Sequence, residues 1–258
     1  YSAWLQQLRE ICTARGIIMI MDEVFVGFRL AQGGAQAYFD VRADMVTYGK
    51  GLGGGLPVGV LCGKDTLMKR FKDKQPTHVS FARGTFNSHP YVMTSMNAFL
   101  RRIEQQDIQD IYANADETWN RRLQSVNERL QQAGLPLRVA NLSSIWMVTY
   151  TQPSRYNWMY QYYLRAEGLA LSWIGTGRFI FPHNLPDEDF QAIADRIVSA
   201  ASKMQQDAWW WHKPEVTNKL IKRAFLKELV LHKLGLDSNE PAAVSDAEHA
   251  ADKVQQAA

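Results

Sequence analysis

The 258 residues suffice for one large domain or two small ones, and 46% hydrophobic with 21% charged residues is ordinary for a globular chain. Lys and Arg number 29 against 26 Asp and Glu, and this net charge of +3 is too small to indicate nucleic-acid binding. Two cysteines without CxxC spacing and six scattered histidines favour a reduced, cytoplasmic protein without a metal site. No apolar run approaches the roughly 20 residues that a membrane helix needs.

The chain opens with an amphipathic helix that lacks a start signal. Residues 1–15 carry apolar side chains at helical spacing, with neither an initiator Met nor a capping residue before them. The sequence therefore predicts that the chain begins partway through a fold, as a fragment or as part of a longer enzyme.

Short apolar segments ended by polar or glycine-rich turns come next. Residues 17–21 (IIMIM) predict a buried parallel strand, residues 44–48 a second strand, and residues 56–62 a third. The pattern over residues 63–73 predicts a helix.

The pattern after Pro90 predicts longer elements. They are two helices over residues 90–132 that divide near Gln106, strands over 138–150, a helix over 155–168, a strand pair over 169–181 and a helix over 187–204. Strands and helices that alternate in this way indicate an α/β first part and a mixed α+β second part.

Three regions follow from this order. Residues 1–104 are predicted to belong to a large domain, residues 105–211 to a small α+β domain, and residues 212–258 to an amphipathic helix with a mobile tail. Residues 213–235 carry six basic and two acidic side chains, whereas residues 236–258 carry one and five. The basic helix suits docking on its own protein better than binding to a membrane surface.

Asp22 and Lys50 are the side chains that point to chemistry. Each follows the end of a predicted strand, and ligands of open parallel sheets bind beyond the carboxyl ends of the strands. Glycines at 49, 51 and 53–55 let a planar group approach the backbone around Lys50. A lysine forms an imine only as the neutral amine, which a dry, crowded pocket favours. The non-functional alternative is that Asp22 only ends a strand and that the Lys50 side chain is solvated.

The segment GKGLGG at residues 49–54 also satisfies the dinucleotide-binding pattern GxGxxG. That pattern requires a helix directly after the glycines, and the segment LPVGV that follows at residues 56–60 is typical of extended chain. A P-loop is excluded as well, because the lysine precedes the glycines and no GK[ST] occurs. The sequence therefore disfavours both phosphate-loop readings.

The segment IMIMDEVFVGFRLAQGGAQAYFDVRADMVTYGKGLGGGLPVGVLCG at residues 18–63 resembles the signature of class-III pyridoxal-phosphate aminotransferases. It is most similar to the branch that contains glutamate-1-semialdehyde aminomutase. The turn GTFNSHP at residues 84–90 resembles that group's threonine turn, and the resemblance covers residues 1 to about 210. It implies pyridoxal 5'-phosphate as cofactor and the PLP-transferase fold type I. Residues 1–104 would then hold the C-terminal part of the cofactor-binding large domain with its mixed, partly parallel sheet.

The resemblance also implies roles for single residues. Lys50 matches the Schiff-base lysine and proton shuttle, Asp22 the partner of the pyridinium nitrogen, and Val24 the residue that packs on one ring face. Thr85, with Gly84 beside it, matches the threonine that binds the cofactor phosphate across a homodimer interface.

Other site residues are weaker expectations. Glu23 is a supporting neighbour of Asp22 in the family and a candidate for contact with cofactor or substrate. Arg178 lies near the place of a family arginine that binds a substrate carboxylate. Arg29 is a second candidate for that contact, with a structural ion pair as the alternative, and Trp173 either lines the pocket or lies in the core.

Three functions stay open at this point. The first is transfer of an amino group from a small-molecule donor to an aldehyde or ketone acceptor in biosynthesis, and the second is a 2,1-aminomutase reaction within one substrate. The third is a non-catalytic subunit or fragment. Family members carry a glycine-serine phosphate turn well upstream of the aspartate, where this chain has only residues 1–21. The resemblance therefore implies that an N-terminal half of the same enzyme completes the site.

Overall fold

The computed structural model describes residues 1–79, 84–171, 177–210 and 215–236. The chain forms two compact units, Tyr1–Thr118 and Trp119–Ala258. The sequence places the boundary near residue 104, whereas the structure divides between Thr118 and Trp119. This point lies inside one continuous helix, so no loop or change of composition marks it. The assignment of the two units to a large and a small domain stays a prediction.

The first unit alternates helices with short strands. Its elements are α1 (Ser2–Ala14), β1 (Ile20–Asp22), α2 (Gly27–Leu30), α3 (Gly34–Phe39), β2 (Met45–Gly49), a 3-10 turn (Lys50–Gly53), β3 (Gly59–Gly63), α4 (Asp65–Met68), β4 (Phe71–Lys72), β5 (Gln75–Val79), α5 (Pro90–Ile103) and the start of α6 (Gln106–Gln132).

Within the described residues, β1, β2 and β3 form a sheet in that order. β1 runs parallel to β2 with Asp22 beside Thr47, and β3 runs antiparallel to β2 with Gly59 beside Gly49. The sheet is therefore mixed, as the sequence predicts. β3 also confirms that extended chain follows the glycines, against the dinucleotide-binding pattern.

Two local predictions were wrong. Residues 63–73 form only the single helical turn α4, because the chain then turns into the β4–β5 hairpin. The first strand was predicted to be buried, but Ile18 and Ile20 are each more than half exposed. Side chains alternate between the two faces of a strand, and Met19 is buried in the core with α1 whereas Ile18 and Ile20 project to the opposite face, which stays exposed.

The core of the first unit lies between α1 and the start of the sheet. Cys12, Met19 and Val41 are buried there and pack against apolar side chains of α1 and α3. The Asp44 carboxylate closes this core from the loop before β2, since it accepts from the backbone N–H of Met19 at 2.8 Å and pairs with Arg9 at 2.7 Å. These contacts fix where β2 begins and so place the residues at its end.

The second unit contains a hairpin sheet and two long helices. Its elements are the rest of α6, β6 (Leu137–Leu142), β7 (Ile145–Tyr150), α7 (Tyr160–Ala166), β8 (Arg178–Ile180), α8 (Asp187–Gln206) and α9 (Asn218–Lys233). β6, β7 and β8 pair antiparallel in that order. The helices over 90–132, 187–204 and the basic tail, and the hairpin over 138–150, are confirmed. Part of the predicted strand pair over 169–181 lies outside the described residues.

Aromatic rings fill the core of the second unit. Trp119, Trp146 and Phe190 are almost fully buried, and their ring centroids lie 5.5 to 6.4 Å apart. Arg122 inserts its guanidinium among them, 4.7 Å from the Trp119 ring, and pairs with Asp187 at 2.7 Å.

The basic segment forms the helix α9, and its amphipathic role stays a prediction. It buries Ile221, and Arg155 contacts it through Glu228 at 2.7 Å and through the Phe225 ring at 5.1 Å. The acidic tail beyond residue 236 lies outside the described residues. Among the helices of the described part, none is long and apolar enough to cross a membrane.

Candidate active site

Asp22 and Lys50 lie at the carboxyl ends of two neighbouring strands of the first sheet. Asp22 is the last residue of β1, and Lys50 directly follows β2. Because these neighbouring strands run parallel, with Asp22 in register with Thr47, their carboxyl ends meet at one edge. Neighbouring strands lie about 4.8 Å apart. A carboxylate and an amine are therefore presented where ligands of such sheets bind.

The carboxylate of Asp22 is held through one of its two oxygens. Its Oδ1 accepts from the backbone N–H of Val24 at 3.0 Å and from the hydroxyl of Thr47 at 3.1 Å. Among the residues that the structure describes, none donates to Oδ2. One oxygen thus fixes the group, and the other is open to a ligand that donates a hydrogen bond.

Lys50 has a backbone conformation that is uncommon for a side-chain-bearing residue. Its φ is +48°, in the left-handed region, and it begins the 3-10 turn that ends β2. Such conformations in non-glycine residues cost free energy and cluster at functional sites. The ammonium Nζ lies 5.6 Å from the centroid of the Phe25 ring, which follows Val24 on the turn after β1. The turn after β1 thus contributes an aromatic face to the surroundings of the lysine.

The glycines around Lys50 are required for close packing on one side. A Cβ on Gly49 would lie 3.0 Å from the carbonyl oxygen of Val58 and 3.2 Å from Cγ1 of Val24. Gly54 has φ +57°, and a Cβ there would lie 2.6 Å from the Oγ of Ser95 on α5. Val24, Val58 and Ser95 can therefore pack against this turn only because Gly49 and Gly54 have no side chain.

The same glycine cluster leaves space on its other side. A Cβ added at Gly51 or Gly55 would meet no atom within 4 Å. Pyridoxal phosphate is a planar heterocycle with a ring N–H that donates a hydrogen bond and, opposite it, a carbonyl carbon that reacts with an amine. Asp22 Oδ2 would accept a hydrogen bond from the ring N–H. The Lys50 amine would bond covalently to the carbonyl carbon. In their chemistry, the carboxylate of Asp22 and the amine of Lys50 are groups of the kind that can hold pyridoxal phosphate.

Glu23 points away from this edge and into the protein. It is 2% exposed, its Oε2 accepts from the backbone N–H of Ala35 at 2.6 Å, and its Oε1 accepts from that of Gln36 at 3.1 Å. Burial raises the pKa of this carboxyl, and the two backbone hydrogen bonds oppose that shift. Both oxygens are thus used to bind α3, which differs from the expected contact with cofactor or substrate.

Gly84 and Thr85 lie on an exposed turn before α5. The backbone N–H of Asn87 donates to the carbonyl of Gly84 at 3.0 Å, which closes the turn. Phe86 and Tyr91 beside it are 77% and 76% exposed. Exposed aromatic side chains around a polar turn are typical of an interface, and the phosphate role of Thr85 stays a prediction.

The arginine candidates lie in different units. Arg29 on α2 is 5.9 Å from the Phe25 ring centroid, and burial lowers the pKa of its guanidinium. Arg178 is an exposed residue of β8 in the second unit. Trp173 lies outside the described residues.

Sequence reasoning missed two neighbours of the site, Thr47 and Phe25. The sequence predicted both strands but not the register between them, so only the structure shows that Thr47 on β2 is the neighbour of Asp22. No pattern in the sequence indicates that the ring of Phe25 lies near Lys50, because that contact depends on how the turn after β1 folds.

Comparison with known proteins gives a consistent result. A family model described as Aminotransferase class-III matches residues 1–201. The chain is 35% identical over 149 residues to a glutamate-1-semialdehyde 2,1-aminomutase of Methanococcus maripaludis, which covers 58% of this chain and 33% of that protein. It is 31% identical over 209 residues to the enzyme of that name from Geotalea daltonii, which covers 78% of this chain and 47% of that protein.

Solved structures agree on the fold. An omega-transaminase from Sphaerobacter thermophilus superposes with a TM-score of 0.68 at 24% identity, over 80% of this chain and 48% of that one. A beta-phenylalanine aminotransferase from Variovorax paradoxus gives 0.67 at 23% identity, over 80% and 49%. These likenesses confirm the predicted PLP-transferase fold type I. The chain spans about a third to a half of the length of the proteins it matches.

Proposed function

The chain belongs to the class-III aminotransferase family, and from this premise we propose that it supplies the lysine-bearing part of an aminotransferase active site. The cofactor is pyridoxal phosphate. The observation that carries the proposal is that Asp22 and Lys50 follow the carboxyl ends of two neighbouring parallel strands. When bound, the cofactor supplies an electron sink that stabilises negative charge on the substrate carbon.

Lys50 supplies the amine that holds the cofactor and later moves a proton. After release from the cofactor carbon, its neutral amine would take the proton from the substrate carbon and return it to the cofactor carbon. Lys50 has a left-handed backbone conformation and begins the 3-10 turn that contains the glycines. A Cβ added at Gly51 in this turn would meet no atom within 4 Å. The amine and the ligand can therefore share that space.

Asp22 keeps the ring nitrogen protonated. Its Oδ1 is fixed by Val24 and Thr47, so Oδ2 can accept a hydrogen bond from the ring N–H. A carboxylate bonded to a protonated ring nitrogen strengthens the electron withdrawal of the ring. A Cβ added at Gly49 would lie 3.2 Å from Cγ1 of Val24, so the Val24 side chain lies close to the turn that carries Lys50, and its role is to pack on one ring face.

Thr85 and Gly84 would complete the site from a second copy of the chain. Their turn is exposed and flanked by exposed rings, as a homodimer interface requires. The Thr85 hydroxyl and backbone N–H would bind the cofactor phosphate. Glu23 serves this site indirectly, by fixing α3 against the turn after Asp22. Arg178 remains our candidate for a substrate carboxylate, with Arg29 as the alternative.

The remaining part of the enzyme is proposed to cover the first sheet. Ile18, Ile20 and Leu61 are each about half exposed, whereas strands of parallel sheets are normally covered on both faces. The outer edge of β1 carries backbone groups that another strand can pair with. An N-terminal half of the same protein, which the relatives' greater length supports, would bury these side chains and supply the phosphate turn.

Aminomutase activity is the second candidate function. The matched relatives at 31% to 38% identity bear the name glutamate-1-semialdehyde 2,1-aminomutase, whereas the solved structures of similar fold bear transaminase names. Product formation with and without a separate amino donor distinguishes the two. A transaminase needs both a donor and an oxo acceptor, and a mutase converts one substrate alone.

Absorption spectroscopy tests the cofactor site itself. The protein with pyridoxal phosphate is expected to show the band of lysine-bound cofactor, and Lys50→Ala is expected to lose it. Lys74→Ala is the matched control, because Lys74 is an exposed lysine in the turn of the β4–β5 hairpin. Persistence of the band in Lys50→Ala would contradict the assignment of Lys50. Absence of the band in a wild-type protein that includes the proposed N-terminal half would favour a non-catalytic subunit.

A further inference from the structure

Thr47 is placed to control the carboxylate of the proposed cofactor site. We propose that Thr47 is a positioning residue that fixes Asp22 for the cofactor ring, an inference that rests on the proposed function. Its hydroxyl donates to Oδ1 of Asp22 at 3.1 Å, and the two residues are direct neighbours in the β1–β2 register.

The two donors on Oδ1 come from different directions. The Val24 N–H reaches it from the turn that follows Asp22, and the Thr47 hydroxyl reaches it from the adjacent strand. A carboxylate with one hydrogen bond can still rotate about that bond, whereas two donors from different directions restrict this rotation. With Oδ1 held in this way, Oδ2 also keeps one orientation.

Thr47 also holds the backbone next to Asp22. Its carbonyl accepts from the N–H of Glu23 at 2.9 Å, so side chain and main chain of one residue both bind the end of β1. The residue is β-branched, which restricts rotation about χ1. It stands on a strand that is paired on both sides. A donor on such a rigid element holds its acceptor with little freedom.

Removal of the hydroxyl should therefore act on cofactor binding through Asp22. Thr47→Val keeps the β-branched shape and the backbone contact but cannot donate. We expect it to weaken binding of pyridoxal phosphate about 10-fold, the effect of losing one hydrogen bond to a charged group. Thr47→Ser keeps the donor and is expected to stay within about threefold of the wild type.

A double-mutant cycle separates positioning from general stability. The dissociation constant of pyridoxal phosphate is measured by equilibrium dialysis for the full-length wild-type protein, Thr47→Val, Asp22→Ala and the double variant. If Thr47 acts through Asp22, Thr47→Val has no further effect once Asp22 is replaced. An equal loss in both backgrounds would overturn the proposal. Thr149→Val is the matched control, since that strand threonine donates to the carbonyl of Arg138 instead.

Two other outcomes are distinguishable in the same measurements. Equal dissociation constants for the wild type and Thr47→Val would overturn the role of Thr47 and leave the proposed function intact. A wild-type protein without the absorption band of lysine-bound cofactor would overturn the proposed function and this inference with it. Recovery in Thr47→Ser, with no change in Thr149→Val, supports the positioning role.

Discussion

Replacement of Gly34 by Ala tests how the turn after Asp22 is held. Gly34 begins α3 with φ +77°, and a Cβ there would lie 2.2 Å from Oε2 of Glu23 and 3.3 Å from the Tyr48 ring. Glu23 cannot move aside without cost, because it is buried and its oxygens accept from Ala35 and Gln36. The left-handed φ costs about 1–2 kcal/mol for a residue with a Cβ. Overpacking adds about 1–3 kcal/mol.

We therefore expect Gly34→Ala to lower the free energy of unfolding by about 2–5 kcal/mol. Gly16→Ala is the matched control. Gly16 has φ +63°, but a Cβ there meets no atom within 4 Å, so only the conformational cost of about 1–2 kcal/mol applies. Urea unfolding followed by far-ultraviolet circular dichroism measures both variants, with the midpoint and the slope compared to exclude a change in the denatured state.

A second background makes this test specific. In Glu23→Ala the carboxylate is absent, so Gly34→Ala should then cost no more than Gly16→Ala, a coupling of about 1–3 kcal/mol. Equal effects of Gly34→Ala and Gly16→Ala in the wild-type background would refute the close approach of Gly34 and Glu23. Equal effects of Gly34→Ala with and without Glu23 would refute the carboxylate as its cause.

Two further perturbations report on the two cores. Arg122→Ala should destabilise the protein by about 2–4 kcal/mol, because it removes a buried guanidinium that pairs with Asp187 and contacts the Trp119 ring. Tryptophan fluorescence during urea unfolding measures the loss of stability. A loss below about 1 kcal/mol would contradict this prediction. The Lys64 ammonium, the Met19 N–H and Arg9 hold the pKa of Asp44 well below its ordinary value of 3.8. The stability that this carboxylate contributes is therefore present above about pH 4 and lost as the pH falls toward its lowered pKa. Asp44→Asn should be less stable than the wild type at neutral pH, and the difference in urea midpoint should shrink on acidification; a difference that is constant with pH would refute the assignment.

The residues of the proposed site show how much can be predicted from sequence. The positions of Asp22 and Lys50 at strand ends were predictable, because strand ends are marked locally by a change from apolar to polar or glycine residues. The direction in which the Glu23 side chain points was not predictable from the sequence. It has the same sequence context as Asp22, but side chains alternate across a strand, and what lies on the inner face depends on where α3 packs.

The wrong predictions share this cause. The apolar residues after Gly63 fit a helix by spacing, yet the chain forms a hairpin there, since pairing between β4 and β5 outweighs local preference. Ile18 and Ile20 have the composition of a buried strand, but burial depends on which other segments cover the sheet. Residues that must be covered can be recognised from sequence, whereas the element that covers them cannot.

The sequence by itself determined most of the elements, the family and the pair of residues proposed to bind the cofactor. Each of these follows from local patterns, namely periodicity, glycine placement and a continuous motif. Only the tertiary structure decided that Thr47 stands beside Asp22, that Glu23 is turned onto α3, and that the two units divide inside α6. These features depend on contacts between segments distant in sequence, and no local pattern encodes the geometry of such contacts.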